Sequence, residues 1–239
     1  MLKTKFVLVT GAGKGMGREI AVTLAGAGAA GVAVHYGHDR EAAEETVRLA
    51  KQAGAEAFAV GADLTQEQEA SGLVRSVEKR FGRVDVLVNN VGPILMKRWD
   101  ELTAADWEAM FKSVLGSAFL CLKAVLPGMR ERGWGRIVNI GYSRVEQMTA
   151  FPTITAYAAA KTALLILTRT AAVSEAGAGI TVNMVSPGLL EGGRLPSQKI
   201  PPAALGTYAD VAKAVRFFAS EESSAITGTN LIVAGTWKM

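Results

Sequence analysis

Tyr157 and Lys161 stand four residues apart, and of all the side chains in this chain they have the clearest capacity for chemistry. An isolated phenol has a pKa of about 10 and holds its proton at neutrality. A cation one helical turn away stabilises the phenolate, so the pair can hand a proton to a carbonyl oxygen as negative charge develops there. The spacing alone also occurs between unrelated exposed residues, and its meaning depends on the elements around it.

A second cluster lies near the start of the chain, where Thr10-Gly11-Ala12-Gly13-Lys14-Gly15-Met16-Gly17 follows an apolar run directly. Met16, Ile20 and Leu24 recur every four residues and lay one apolar stripe along a helix. Glycines before that helix permit a tight turn and close approach of a diphosphate to backbone N–H groups, where the helix dipole favours negative charge. The strict GxGxxG pattern is absent, because Met16 holds the place of its last glycine; the pattern present is TGxxxGxG. A carboxylate about 20 residues beyond the glycines would bind a ribose 2′-hydroxyl. Here Val34-His35-Tyr36-Gly37 supplies none, while Lys14, His35, His38 and Arg40 can surround a 2′-phosphate and Asp39 reads as a helix N-cap. The expected cofactor is NADP(H).

These clusters need a scaffold. Short β-branched runs alternate with longer segments of helical period, the pattern of a parallel sheet covered on both faces. Strands are expected at Phe6 to Val9, Gly31 to Tyr36, Glu56 to Val60, Val84 to Val88, Arg136 to Ile140, Thr181 to Val185 and Leu231 to Val233. Capping-box spacing at Thr65 with Gln68, Thr103 with Asp106 and Thr207 with Asp210 marks three helix starts. Ala104 to Glu131 and Ala156 to Ala176 are the long helices, the second carrying Tyr157 and Lys161. The fold class is therefore α/β, a single-domain Rossmann architecture with a doubly wound seven-stranded parallel sheet and helices on both faces.

Further pieces recur in order: Asp63-Leu64 after the third strand, Asn89-Asn90-Val91-Gly92 after the fourth, and Asn183 with Ser186-Pro187-Gly188 after the sixth. Together with the glycine turn and Tyr157-xxx-Lys161, they resemble the short-chain dehydrogenase/reductase family, most closely its 3-oxoacyl carrier-protein reductases. The resemblance implies one NADP(H)-binding domain over residues 1–239 that reduces a small-molecule carbonyl, or oxidises an alcohol, by hydride transfer with Tyr157 as acid/base. It implies that Lys161 supports the phenolate and holds ribose hydroxyls. By the same resemblance, Asp63 beside Leu64 binds adenine, Asn90, Val91 and Gly92 line the ribose, Pro187 and Gly188 pack near the nicotinamide, and the assembly is a homotetramer.

The chain departs from the family pattern in three places. Tyr142 occupies the position of the usual substrate-binding serine; Ser143, one residue on, or the Tyr142 hydroxyl itself are the two candidates to replace it. Val114 stands where an asparagine usually holds a relay water, and Ser113 beside it points about 100 degrees around the helix. Leu189-Leu190-Glu191-Gly192-Gly193 lacks the usual threonine, and the Gly- and Pro-rich stretch onward through Pro196, Pro201 and Pro202 reads as a short, irregular lid. The Val114 and Tyr142 substitutions motivate an alternative, which the retained Tyr157 and Lys161 oppose: an NADP-binding protein with a degenerate site acting as regulator or partner subunit.

Composition narrows the setting. Lys and Arg number 26 against 22 Asp and Glu, a formal charge of +4, and the basic residues are scattered, which speaks against a nucleic-acid partner. With one cysteine, Cys121, there is neither an intrachain disulfide nor a multi-cysteine metal site, and no metal is expected. Charges or turn residues interrupt every apolar run before the roughly 20 residues that a bilayer span needs, and no signal peptide is read at the start; the expected location is the cytoplasm, without membrane attachment. Ala156 to Ala160 and Ala163 to Leu167 carry more apolar surface than one buried stripe needs, which suits contact with another subunit.

Overall fold

Parallel strands that are apolar on both sides must be covered on both sides, and the computed structural model, which describes residues 2–193 and 205–235, shows how this chain does it. Seven strands, β1 (Phe6–Val9), β2 (Gly31–Tyr36), β3 (Glu56–Gly61), β4 (Val86–Asn89), β5 (Gly135–Ile140), β6 (Ile180–Pro187) and β7 (Asn230–Val233), form one sheet in the order β3-β2-β1-β4-β5-β6-β7. Every pairing is parallel. Successive side chains alternate between faces. Val7 and Val9 accordingly join α1 (Gly15–Gly26), α2 (Arg40–Gln52) and α7 (Tyr208–Ala219) in one core, while Leu8 joins α3 (Glu67–Phe81), α5 (Ser117–Arg132) and the end of α6 (Thr155–Glu175) in the other.

The strand order reverses between β1 and β4, which are hydrogen-bonded neighbours in register Val9 to Val88. Crossovers on either side of such a switch point run in opposite directions and leave a crevice beyond the carboxyl ends of the strands. Thr10, Asn90, Gly141 and Gly188 follow β1, β4, β5 and β6 directly, so the clusters found in the sequence leave the sheet along this one edge.

The long helix before β5 is continuous but not uniform. α4 (Ala104–Phe111) passes through a π-helical turn at Lys112–Gly116 into α5. Val114, at the centre of that turn, is completely buried. Taken together, Ala104–Arg132 is long and apolar enough by length and composition to cross a membrane, despite Lys112 and Lys123. That differs from the sequence expectation of no such segment. Here its apolar surface packs against α3 and α6.

Two of the three expected capping boxes form: Thr103 with Asp106 starts α4, and Thr207 with Asp210 starts α7. The third does not. α3 begins after Gln66, which makes no side-chain cap, and the Thr65 N–H and hydroxyl both donate to the Asp63 carboxylate, at 3.0 and 2.8 Å. The Asp63 carboxylate, two residues upstream, takes the Thr65 N–H that a capping box would give to the Gln68 side chain, and it is the stronger, charged acceptor. Asp39 caps α2 as expected, accepting the Ala42 N–H at 3.0 Å. The Gly- and Pro-rich stretch carrying Pro196, Pro201 and Pro202 lies outside the described residues.

The capping geometry predicts different costs for two similar substitutions. Thr207→Ala lowers the unfolding free energy by about 1 kcal/mol, because the N-terminal turn of α7 loses its side-chain acceptor. Thr65→Ala lowers it by less than about half that. Urea unfolding of both variants measures the difference.

Candidate active site

The phosphate turn is assembled from long-range hydrogen bonds. Gly11 and Gly15 adopt left-handed conformations, φ +60° and +55°, that glycine reaches without strain. At Gly17 a Cβ would lie 2.3 Å from the Gly11 carbonyl oxygen and 2.6 Å from Asn90 Nδ2, so only glycine lets α1 approach the turn this closely. Thr10 Oγ1 accepts from the Asn90 and Val91 N–H groups at 2.9 and 3.2 Å, and Asn90 Nδ2 donates to the Thr10 and Gly11 carbonyls, both at 3.0 Å. Arg18 Nη2 holds the Gly13 and Ala42 carbonyls at 2.6 and 3.1 Å, tying the turn to α2. No side chain caps α1 at Lys14 and no acidic residue lies in its first turn. The leading N–H groups of that helix are therefore presented to an anion.

His35 behaves differently from the sequence expectation. Its ring is buried, Nδ1 accepting the Gly11 N–H at 3.0 Å and Nε2 lying 3.0 Å from the Ala62 carbonyl oxygen. The contacts require the neutral tautomer with the proton on Nε2, and burial holds the pKa below its ordinary value. His35 supports the turn from behind and does not face a 2′-phosphate. Lys14 remains 80% exposed, 3.8 Å from Asp39, and Arg40 pairs loosely with Glu44 at 3.7 Å. Tyr36 covers Gly61, where a Cβ would meet its ring at 3.0 Å. Asp63 lies at the surface, its carboxyl held below the ordinary value by the Thr65 N–H and hydroxyl, whereas the Leu64 side chain is buried in the core under α3.

Beyond the turn lies a cavity of about 560 Å³ with Met16, Asn90, Gly92, Tyr142, Ser143, Tyr157, Lys161, Pro187 and Gly188 in its wall. Lys161 is buried, and its Nζ donates to the Ile140 carbonyl at 2.5 Å. Burial pushes its pKa down to about 8. Gly92 leaves room beside it, since a Cβ there would stand 3.1 Å from Nζ. The Tyr157 phenol is driven above its ordinary pKa by burial first and by Tyr142 second, so it is neutral at physiological pH. The sixth strand contributes through Gly188, whose N–H donates to Val233 O at 2.9 Å and where a Cβ would fall 2.6 Å from that of Ala234.

Both candidates for the missing serine reach this cavity. The Tyr142 ring stands edge-on to Tyr157, centroids 5.6 Å apart, and to Phe151 at 5.9 Å. Its hydroxyl is buried without a hydrogen-bond partner among the described residues, the nearby Thr162 hydroxyl being turned to Val145 O, and burial pushes the phenol up to about 12. Ser143 is anchored through its backbone, N–H to Pro187 O at 2.8 Å. Behind Lys161, the Val114 Cγ2 lies 3.5 Å from the Cβ position of Gly92, so an apolar wall stands where a polar side chain was expected from the family pattern.

Several wall residues were not singled out in the sequence: Ile94, Met96, Arg144, Phe151 and Tyr208. Tyr208 had a usable signal, since it follows the Thr207 cap and the first turn of α7 meets α1; its hydroxyl lies 3.8 Å from the Cβ position of Gly15. The others sit on loops whose course no periodicity reveals.

A family model described as short chain dehydrogenase matches residues 5–199. The chain is 35% identical to the 3-oxoacyl-[acyl-carrier-protein] reductase FabG of Staphylococcus aureus, with 98% of each chain covered. It is 30% identical to the D-beta-hydroxybutyrate dehydrogenase of Rhizobium meliloti, again over 98% of each. Among solved structures, acetoin dehydrogenase YohF from Salmonella typhimurium superposes with a TM-score of 0.88 at 32% identity, covering 98% of this chain and 95% of that one.

The buried His35 predicts a pH dependence of stability. Its unfolded pKa is about 6.5 and its folded value is lower. The contribution is therefore fully present above 6.5 and is lost as pH falls through the folded value, where the unfolded chain binds the extra proton. Melting temperature should decline on acidification below that point, and the decline should be shallower in His35→Asn. Equal slopes in the two proteins would show that the imidazole does not carry it.

Proposed function

Because this chain belongs to the short chain dehydrogenase family, we propose that it is an NADP(H)-dependent oxidoreductase that reduces a carbonyl, or oxidises the matching alcohol, with Tyr157 as acid/base. The observation that carries this reading is the convergence of Tyr157, the buried Lys161 and, from the glycine turn, Met16 on one cavity. The residues present suit the cofactor: an uncapped helix start and the close approach at Gly17 leave room for a diphosphate, and Lys14 and Arg40 supply positive charge, with His38 beside them in sequence, for a 2′-phosphate. In this reading Asp63 meets the adenine, Asn90, Val91 and Gly92 border the ribose, and Pro187 and Gly188 lie beside the nicotinamide. When bound, the nicotinamide supplies or accepts the hydride.

The chain's own work is proton management. Tyr157, kept neutral by burial, donates its hydroxyl proton to the carbonyl oxygen, and the Lys161 ammonium stabilises the phenolate that remains. Either the Tyr142 or the Ser143 hydroxyl donates a second hydrogen bond to the same oxygen; loss of one such donor lowers rates by roughly 10² to 10³. The named activities of the relatives, on 3-oxoacyl groups, hydroxybutyrate and acetoin, fit a carbonyl or alcohol substrate.

A second reading rests on Val114, which fills the π-helical turn behind Lys161 with a buried apolar side chain. It makes the protein a dinucleotide-binding regulator or partner subunit. In either case we propose a cytoplasmic homotetramer. The groove between the π-helical turn and α6 is walled by Phe111, Leu115, Phe119, Ile166 and Leu167, with Ile166 64% exposed. Apolar surface of this kind suits a second copy.

Three measurements test these statements. NADPH, followed by its fluorescence, binds more tightly than NADH, and the reverse order overturns the cofactor assignment. With a ketone panel, Tyr157→Phe lowers turnover by about 10²- to 10⁴-fold, and kcat/KM for reduction is level near neutrality and declines through about 8 as Lys161 loses its proton. Tight NADPH binding with no turnover selects the regulator instead. Sedimentation at micromolar concentration shows a tetramer, and a monomer removes the assembly.

A further inference from the structure

The cavity wall contains two cations, Lys161 and Arg144, and no Asp or Glu among the described residues. Lys161 is committed to Ile140 O beside the phenol. Arg144 has no such commitment. It is half-buried; its Nε donates to Gln147 Oε1 at 2.6 Å, and its terminal nitrogens make no hydrogen bond or ion pair with any described residue. Glu146, the nearest acid in sequence, is held instead by Arg169 and by Asn230 Nδ2. The guanidinium carbon lies 4.7 Å from the centroid of Phe151, whose ring in turn meets that of Tyr142. Stacking on an aromatic face fixes the guanidinium plane while leaving its edge free, the edge that matches a carboxylate with two parallel hydrogen bonds.

A half-buried cation without a counter-charge has lost part of its hydration, and an anion on its free N–H groups compensates that loss best. Its field reaches the cavity, since the Arg144 charge opposes the effect of burial on the Tyr142 phenol. The same cavity wall includes the apolar side chains of Ile94, Met96 and Leu189. We propose that Arg144 is an anion-recognition residue and that the substrates of this site are oxo acids or hydroxy acids, held by a carboxylate at Arg144 with the reacting oxygen at Tyr157. This rests on the oxidoreductase reading above and adds the substrate class to it.

The test compares linear oxo acids, with the carbonyl at successive positions, against their methyl esters on the NADPH-loaded protein and on Arg144→Gln and Arg144→Lys. The wild type prefers at least one acid over its ester. Arg144→Gln lowers kcat/KM on that acid by about 10- to 100-fold more than on the ester, mainly through KM, as expected for loss of a charge-assisted pair. Arg144→Lys recovers part of the preference, which separates charge from a shift of the loop. Absence of any acid preference, or equal losses on acid and ester, overturns the proposal. Calorimetric titration with the preferred or longest acid gives a readout without turnover. If no carbonyl compound is reduced, the oxidoreductase reading fails, yet weaker acid binding to Arg144→Gln than to wild type still supports the anion site, and equal binding removes it.

Discussion

The lock between the ends of β1 and β4 is the constraint on which the rest of the site depends. Thr10 Oγ1 takes two backbone N–H groups from the Asn90 side, and Asn90 Nδ2 returns two bonds to the Thr10 and Gly11 carbonyls. Four polar groups that would otherwise be stranded at the switch point are thereby satisfied, and a buried unpaired group costs on the order of 1–3 kcal/mol. The same bonds set where α1 begins, and the bare glycine at 17 sets how near it comes. His35 secures the turn from the other side. Asn90 is consequently a structural partner of the anion turn as well as part of the cavity wall.

The second dependency is the burial of Lys161. An ammonium away from water needs acceptors or a nearby anion, and the Ile140 carbonyl supplies one acceptor at the end of β5. A Cβ at Gly92 would lie 3.1 Å from Nζ and 3.5 Å from Val114 Cγ2, so the space beside the ammonium is narrow. Tyr142 changes the other side of the phenol, placing a ring and a buried hydroxyl where a small residue is usual in the family. These side chains sit at the carboxyl edge of a sheet in the order β3-β2-β1-β4-β5-β6-β7.

Much of the scaffold was legible from the chain alone. All seven strands fall within two residues of their expected places, because buried parallel strands impose a dense β-branched run that local composition reveals. The caps at Asp39, Thr103 and Thr207 were legible for the same reason, each being a bond between residues three apart. Thr65 was misread because Asp63, two residues before it, competes with Gln68, three residues after it, and spacing does not rank two local partners.

What the sequence by itself determined is the order of elements and the types of residue delivered to the carboxyl edge of the sheet: periodicity and turn chemistry are properties of neighbours along the chain. Only the tertiary structure decided which way those residues face. His35 turned inward because Gly11 N–H and Ala62 O, far from it in sequence, needed partners. Arg144 was left without a carboxylate because Glu146 is drawn to Arg169 and Asn230 on distant elements. Such outcomes are settled by competition among groups that meet only after folding, and no local pattern records them.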